Sequence, residues 1–451
     1  MDRFPNEVLS HIFSYVLTER EKHRLHDDTI EDILDVRLSE HTIKNDFGSW
    51  HQLLETDYIR TAVRHVAIET APIDREGGSH RISFYPDSWF WGGDWPEFNS
   101  AISRICDMPN LDCLEVRFSP FCHDEVFPGT WYEASSIRMK TLEAISRTLR
   151  DRESRPDASI IRELVLNYLQ DIPLLKDLND NLLQNIDKLH IRVAYDNDEI
   201  ENPEFTSYLS STLLPSVSEH LVELTIAGHC WGSIPGEFNG QGLSFPCLES
   251  LTLEKYIILR QDQFGWILEQ SSLINLNLYS CKIVTHCLVQ QPDFEDWDVN
   301  LNGWKKLPDV STNIDETNYS HMSHPNLEPL EPGWYMNDLR WSDMFDRIRQ
   351  SLPLLRNFNF RCSSWQNYFE GRPENPHNND LHNRYYTFDN GSWGWVLYMP
   401  ANERPWSTER NYFEVKKMPG TPVGLYERTE PADRLALETL MEVTRKRRGE
   451  K

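Results

Sequence analysis

The chain has no C-x-x-C pair, no long apolar run and no surplus of positive charge, and each absence removes a class of function. Its eight cysteines, 106, 113, 122, 230, 247, 281, 287 and 362, are scattered. Structural zinc sites place ligand pairs two to four residues apart, so no metal is expected and the thiols read as small buried hydrophobes. No stretch approaches the ~18 uncharged apolar residues that span a bilayer, so no membrane contact is expected. The opening MDRFPNEV puts charges and a proline where a signal peptide needs an apolar run, which gives an expected location in the cytoplasm, the nucleus or both. Against 71 Asp plus Glu there are only 45 Lys plus Arg, and the net charge of −26 repels phosphate backbones. The one basic cluster, Arg445 to Arg448, is short and terminal. No nucleic-acid partner is expected.

Fingerprints of catalysis are missing too. There is no G-x-S-x-G elbow, phosphate loop, H-E-x-x-H or dinucleotide-binding glycine pattern. Trp89 to Trp95 and Asp293 to Asp298 set aromatics beside carboxylates, which suits sugar binding or glycoside hydrolysis as a distant third reading. His286-Cys287 and His321-x-x-His324 are weak as sites. The expectation is a protein without catalytic residues or a cofactor.

What is present is length, aromatic rings and a repeat. A chain of 451 residues exceeds the ~250–300 at which one core stops growing, so it holds several domains or an elongated array. Fifteen Trp and 20 Phe argue for a folded chain. One six-residue pattern, apolar-x-x-apolar-x-apolar, recurs eight times. It reads Val63-Arg-His-Val66-Ala-Ile68, Leu111-Asp-Cys-Leu114-Glu-Val116, Ile161-Arg-Glu-Leu164-Val-Leu166 and Ile186-Asp-Lys-Leu189-His-Ile191. It returns as Leu221-Val-Glu-Leu224-Thr-Ile226, Leu248-Glu-Ser-Leu251-Thr-Leu253, Leu273-Ile-Asn-Leu276-Asn-Leu278 and Leu355-Arg-Asn-Phe358-Asn-Phe360. From Leu164 to Leu276 the middle residues lie 25, 35, 27 and 25 apart, the period of leucine-rich repeats.

The alternating end of each copy predicts a strand. Leu142, Ile145 and Leu149, and likewise Phe264, Ile267 and Leu268, follow helical spacing. The fold class is therefore α/β, as an irregular solenoid with parallel strands inside and helices outside; a doubly wound α/β domain is the alternative. The wider gaps from Val66 to Leu114 and Leu164 leave room for a degenerate unit or for insertions. Residues 289–339, with Trp297, Trp304 and Trp334 among turn residues, read as an inserted flap. Tyr385 to Phe388 and Trp393 to Trp395 flank Asp389-Asn-Gly391, a hairpin signal. Pro431 to Arg448 reads as a helix with Leu437, Leu440, Met441 and Thr444 on one face.

At the N-terminus, Val8, Leu9, Ile12, Phe13 and Val16 form one helical stripe after Pro5. Ile30, Ile33, Leu34 and Leu38 read as a second stripe, and Ile43, Phe47 and Trp50 as a third apolar cluster. The run Phe4-Pro5-Asn6-Glu7-Val8-Leu9-Ser10-His11-Ile12-Phe13-Ser14-Tyr15-Val16 resembles the opening of the F-box. Ile33-Leu-Asp-Val-Arg37-Leu38 to Ile43 matches its later part incompletely, without the Val-Cys pair. With leucine-rich repeats behind it, the chain resembles fungal-type F-box proteins, and Arg340 to Phe360 resembles their last repeat.

That resemblance implies a substrate-recognition subunit of a Skp–cullin–F-box ubiquitin ligase. Phe4, Pro5, Val8, Leu9, Ile12, Phe13, Val16, Leu34 and Leu38 would bind a Skp-type adaptor, and through it a cullin–RING ligase. A protein target would lie on the strand face, where Glu115, Arg117, His190, Arg192, Thr252, Glu254, Asn277, Tyr279, Asn359 and Arg361 flank the apolar positions. The implied division is an F-box-like module over 1–50, a linker over 51–62, repeats over 63–400 and a C-terminal extension over 401–451. The other reading is a leucine-rich-repeat interaction protein outside the ubiquitin system.

Overall fold

The hexapeptides share one backbone arrangement as well as one pattern. In six of the eight, the carbonyl after the first apolar residue accepts two N–H groups from the next copy. Arg64 serves Asp112 and Cys113, Asp112 serves Arg162 and Glu163, and Arg162 serves Asp187 and Lys188. The same step runs from Val222 to Glu249 and Ser250, from Glu249 to Ile274 and Asn275, and from Ile274 to Arg356 and Asn357. The apolar positions are buried throughout, with Leu114, Leu164, Leu189, Leu224, Leu251 and Leu276 fully so.

The computed structural model describes residues 33–37, 43–70, 94–123, 133–194, 203–228, 231–232, 238, 240–289, 301–307, 333–362, 381, 384–389, 396–398 and 425–449. The chain is α/β and divides into two compact units, Met1–Gln170 with Leu174–Asp198, and Asp171–Pro173 with Glu199–Lys451.

In the first unit, five parallel strands pair in chain order: β1 (Ile33–Arg37), β2 (His65–Glu69), β3 (Cys113–Arg117), β6 (Glu163–Gln170) and β7 (Lys188–Ala194). Two short strands, β4 (Cys122–His123) and β5 (Glu133–Ala134), pair with each other. The helices are α1 (Ile43–Leu54), α2 (Asp57–Ala62), α3 (Pro96–Ser103), α4 (Ser135–Glu153) and α5 (Lys176–Leu183). Phe47 and Trp50 of α1 and Phe98, Ala101 and Ile102 of α3 surround a small void with Val66 and Ile68 of β2. Those contacts put α1 and α3 on the apolar face of the sheet.

Two expectations need correction here. The second helical stripe is not a helix: Ile33–Arg37 is strand β1, with Leu34 opposite Val66 and Val36 opposite Ile68. The alternation Leu34-x-Val36 fits a strand, but Glu31 stands where the hexapeptide has its first apolar residue. Residues 51–62 are no linker, because α1 runs to Leu54 and α2 follows. Of the two possibilities left open for the wide gaps around Leu114, insertion fits the described residues, because Val66, Leu114 and Leu164 are direct neighbours in the sheet. The described parts of the gaps form α3, the short strands and α4.

The second unit has four parallel strands in order, β8 (Glu223–Ala227), β10 (Ser250–Glu254), β12 (Asn275–Tyr279) and β16 (Asn357–Arg361). A second sheet follows each of them: β9 (Trp231–Gly232), β11 (Tyr256–Ile258), β13 (Lys282–Val289) and β17 (Tyr385–Asp389) are also parallel. The chain turns from the first sheet to the second through a non-glycine residue at positive φ, Lys255 at 58° and Ser280 at 52°. Each sits two residues past the last apolar position of its hexapeptide, and Tyr168 in the first unit, at 61°, holds the same place. The left-handed backbone costs roughly 1–2 kcal/mol per residue. Hydrogen bonds from Lys255 N–H to the Tyr279 carbonyl and from Ser280 N–H to the Arg361 carbonyl hold two of these corners.

The inserted segment contributes β14 (Lys305–Lys306) and β15 (Gly333–Met336), the latter antiparallel to β13. The hairpin signal corresponds to β17 pairing with β18 (Val396–Tyr398), just past Trp395. Helix α6 (Trp341–Ser351) packs Trp341 and Phe345 on Phe358 and Phe360 of β16. The C-terminal helix α7 starts earlier than expected, at Leu425, and runs to Arg448 with Pro431 inside it.

Candidate functional site

On a strand whose fourth and sixth hexapeptide positions face the core, the residues between and beside them face the other way. In the first unit the register therefore sets Glu69, Arg117, Asn167 and Arg192 side by side on one row, and Ala67, Glu115, Val165 and His190 on the row before it. His190 Nε2 lies 3.8 Å and Lys188 Nζ 3.6 Å from the Glu163 carboxylate across the β6–β7 step. The Arg192 guanidinium lies 5.9 Å from the Tyr168 ring centre.

Glu115 departs from the expectation. The strand alternation turns it outward with the expected target-binding residues, yet it is only 7% exposed. Arg117 reaches its carboxylate with two N–H groups at 2.6 and 3.0 Å, and Asn167 Nδ2 donates at 2.7 Å. His65 Nε2 lies 3.1 Å away. Burial pushes this carboxyl up, but the His65 ring and the Arg117 guanidinium outweigh it and hold Glu115 at about 2. Glu115 organises the face through Arg117, Asn167 and His65. Because its folded value lies below the ordinary 4.5, its contribution is full above pH 4.5 and disappears as pH falls through 2. That contribution is about 3 kcal/mol at most. Urea unfolding at pH 7, 4.5 and 2.5 should show the wild type weakening across this window and Glu115→Gln weakening less. Parallel pH profiles would defeat this assignment.

In the second unit two successive rows over β12 and β16 consist of asparagine pairs. Asn357 Nδ2 donates to Asn275 Oδ1 at 2.6 Å. One row on, Asn359 Nδ2 donates to Asn277 Oδ1 at 2.7 Å, and Asn277 Nδ2 donates to Thr252 Oγ1 at 2.9 Å. In the next row Glu254, Tyr279 and Arg361 are neighbours, and the Arg361 guanidinium lies 5.7 Å from the Tyr279 ring centre. Thr252, Asn277 and Asn359 are half-buried, so the expected residues of this unit are brought together on one face. Asn275 and Asn357 belong to the same cluster; the pattern N-x-N at the start of two strands was the available signal.

Of the expected adaptor residues, Phe4, Pro5, Val8, Leu9, Ile12, Phe13, Val16 and Leu38 lie outside the described residues, and Leu34 is in β1. So do Trp89, His321, His324 and Asp293 to Asp298. Trp95 is a packing residue, stacked on Phe98 and edge-on to Phe47. His286 and Cys287 are fully buried in β13. The terminal basic cluster is partly engaged: Arg447 donates to the carbonyls of Arg349, Leu352 and Leu355, and Arg448 to Arg356 O and Asn357 Oδ1. Among the described residues no group of three His, Cys, Asp or Glu side chains is placed to hold a metal ion, and no helix is long and apolar enough to cross a membrane. No protein-family model matches the chain, and no curated protein is significantly similar to it.

Proposed function

We propose that the chain is the substrate-recognition subunit of a Skp–cullin–F-box ubiquitin ligase, with leucine-rich repeats stacked in solenoid fashion within each unit. The observation that carries the repeat reading is the common register of the hexapeptides. Within each unit neighbouring copies pair position for position through the hexapeptide, and six of the eight copies repeat the same doubly accepting carbonyl. A doubly wound domain has no reason to repeat both. The F-box reading is supported by Phe4 to Val16 alone. On it, the N-terminal segment docks the adaptor, the strand face holds a protein target, and ubiquitin chemistry takes place on other chains. The gain is positional, because tethering raises the effective concentration of the target at the transferring enzyme.

The test is capture of a Skp-type adaptor by the full chain. Changing Leu9 and Phe13 to Asp should abolish co-purification and leave the stability of the second unit within about 1 kcal/mol of wild type. Wild-type chain that fails to retain the adaptor would overturn the reading. One observation favours the second reading, a leucine-rich-repeat interaction protein outside the ubiquitin system. Ile33–Arg37, where an F-box would continue as helix, is a strand of the first sheet.

A further inference from the structure

Six hexapeptides offer the carbonyl after their first apolar residue to two main-chain N–H groups of the next copy. For Leu355 to Phe360 there is no next copy: among the described residues β16 is the last strand of its sheet, and no strand pairs with it on the side away from β12. The corresponding carbonyl, that of Arg356, is nevertheless engaged. Arg448 Nη1 donates to it at 3.1 Å, and to Asn357 Oδ1 at 2.8 Å. Beside it, Arg447 Nη1 donates to the carbonyls of Leu352 at 2.7 Å and Leu355 at 3.1 Å. A side chain of α7 thus occupies the place that a further copy's amides would take. The helix also packs on β16, with Leu437, Leu440 and Thr444 buried. Asn357 N–H bonds to Ile274 O, and Arg361 O accepts from Ser280 N–H, so alternate residues of β16 turn their main-chain groups to β12. Phe358 and Phe360 turn theirs to the other edge. An edge of this kind recruits another chain unless something covers it, and a helix is one such cover.

We propose that α7 is a reversible end cap on the repeats, and that the β16 edge beneath it is a self-association surface for a second copy of the chain, paired antiparallel about Asn359. The strand Asn357-Phe-Asn-Phe-Arg361 is nearly its own mirror about that residue. A two-fold axis there sets Phe358 opposite the partner subunit's Phe360, as a pair that exchanges both N–H···O bonds. The two Asn359 residues meet as the closer pair between them. Rings then lie beside rings on one face and carboxamides beside carboxamides on the other, with no like charges opposed. Such an isologous contact closes on itself and stops at two chains. The bonds of Arg448 to Arg356 and Asn357 lie at the exposed surface, in competition with water, so this end of the cap is the one that opens. The other end is held by the buried pair of Asp433 and Arg384. The inference rests on the repeat pattern and asks nothing of an adaptor.

The test is sedimentation of the full chain over a concentration series. Arg447→Glu with Arg448→Glu replaces the capping donors by carboxylates that the carbonyls repel. It should lower the dimer dissociation constant by about tenfold or more relative to wild type. Arg448→Glu alone, which leaves Arg447 on α6, should act in the same direction and carries the test if the double variant does not fold. Adding Asn359→Lys to the uncapped chain sets two ammonium groups against each other at the axis and should return it to monomer. Asn359→Glu should do the same, whereas an equimolar mixture of the two should form heterodimers, a gain that a misfolded chain cannot show. An uncapped variant that melts normally and associates no more than wild type would overturn the proposal. So would dimers indifferent to Asn359→Lys, a mixture without heterodimers, or growth beyond two chains as concentration rises.

Discussion

Asp433→Ala is expected to destabilise the second unit by about 3–5 kcal/mol, the loss that follows when one member of a buried ion pair is removed. Asp433 is fully buried in α7. Its Oδ2 accepts from Arg384 Nε at 2.7 Å and from the Tyr385 hydroxyl at 2.8 Å, and its Oδ1 accepts from the Ser342 N–H at 2.8 Å. Arg384 spends its other donors on Leu381 O and Thr429 Oγ1, so alanine would strand a guanidinium with little water to turn to. Ser342 lies in the first turn of α6, where an anion is favourable. At the far end of α6, Arg447 meets the carbonyls of Arg349 and Leu352. One helix thus supplies a negative charge to the start of its neighbour and a positive charge to its end. Trp341, whose indole donates to the Arg384 carbonyl, is a built-in reporter. Denaturant unfolding followed by tryptophan emission measures the effect, and a loss below about 1 kcal/mol would contradict the assignment. Replacing both partners, as Arg384→Met with Asp433→Leu, should recover part of the loss, because the double change leaves no unpaired charge.

Arg152→Met should cost the first unit about 3 kcal/mol, by a different route. Arg152 is 3% exposed, and its partners are mostly carbonyl oxygens. It donates to Ile105 at 2.9 Å, Met108 at 2.7 Å, Leu111 at 3.4 Å and Ser159 at 3.2 Å, and to the Ser159 hydroxyl at 3.0 Å. Methionine would keep most of the volume and leave buried acceptors without donors, at ~1–3 kcal/mol for each that water cannot reach. Arg152→Lys should rescue only part, since an ammonium has three donors and no planar fork. Full rescue by lysine, measured by urea unfolding, would show that charge and not geometry matters here.

The repeat was legible because its positions are filled by aliphatic or aromatic side chains with few exceptions. The residues 24 to 50 positions apart that pair in β3, β6 and β7 needed no long-range information to be found. The strand β1 was not legible as a further copy, since Glu31 breaks the pattern at its first position. The second sheet was missed for another reason. Tyr256–Ile258 and Ile283-Val284 are apolar on both sides, which is what a doubly covered strand requires, but such short runs carry no periodicity. Glu115 looked like an ordinary ladder residue, because what buries its charge, His65 and Asn167, lies 50 and 52 residues away in the chain. Asp433 was invisible on the same ground: it falls on the buried side of α7 with Leu437 and Leu440, and only its partners explain it. The asparagine rows were half legible, as polar positions whose mutual hydrogen bonds depend on register.

The left-handed corners also divide the chain into stretches with unequal tolerance for added length. From the first apolar residue of a hexapeptide to its corner the count is fixed, as Leu248 to Lys255 and Leu273 to Ser280 both show. From the corner back to the next hexapeptide it is free, since β10 and β12 are joined by a short return holding β11, and β12 and β16 by one holding β13, β14 and β15. Loop closure grows only slowly more costly with length, about 0.6 kcal/mol per doubling, whereas one residue added inside a strand turns every later side chain to the opposite face. New sequence can therefore enter this protein cheaply on the return legs alone, and a reporter or tag inserted there would leave the counted segments undisturbed.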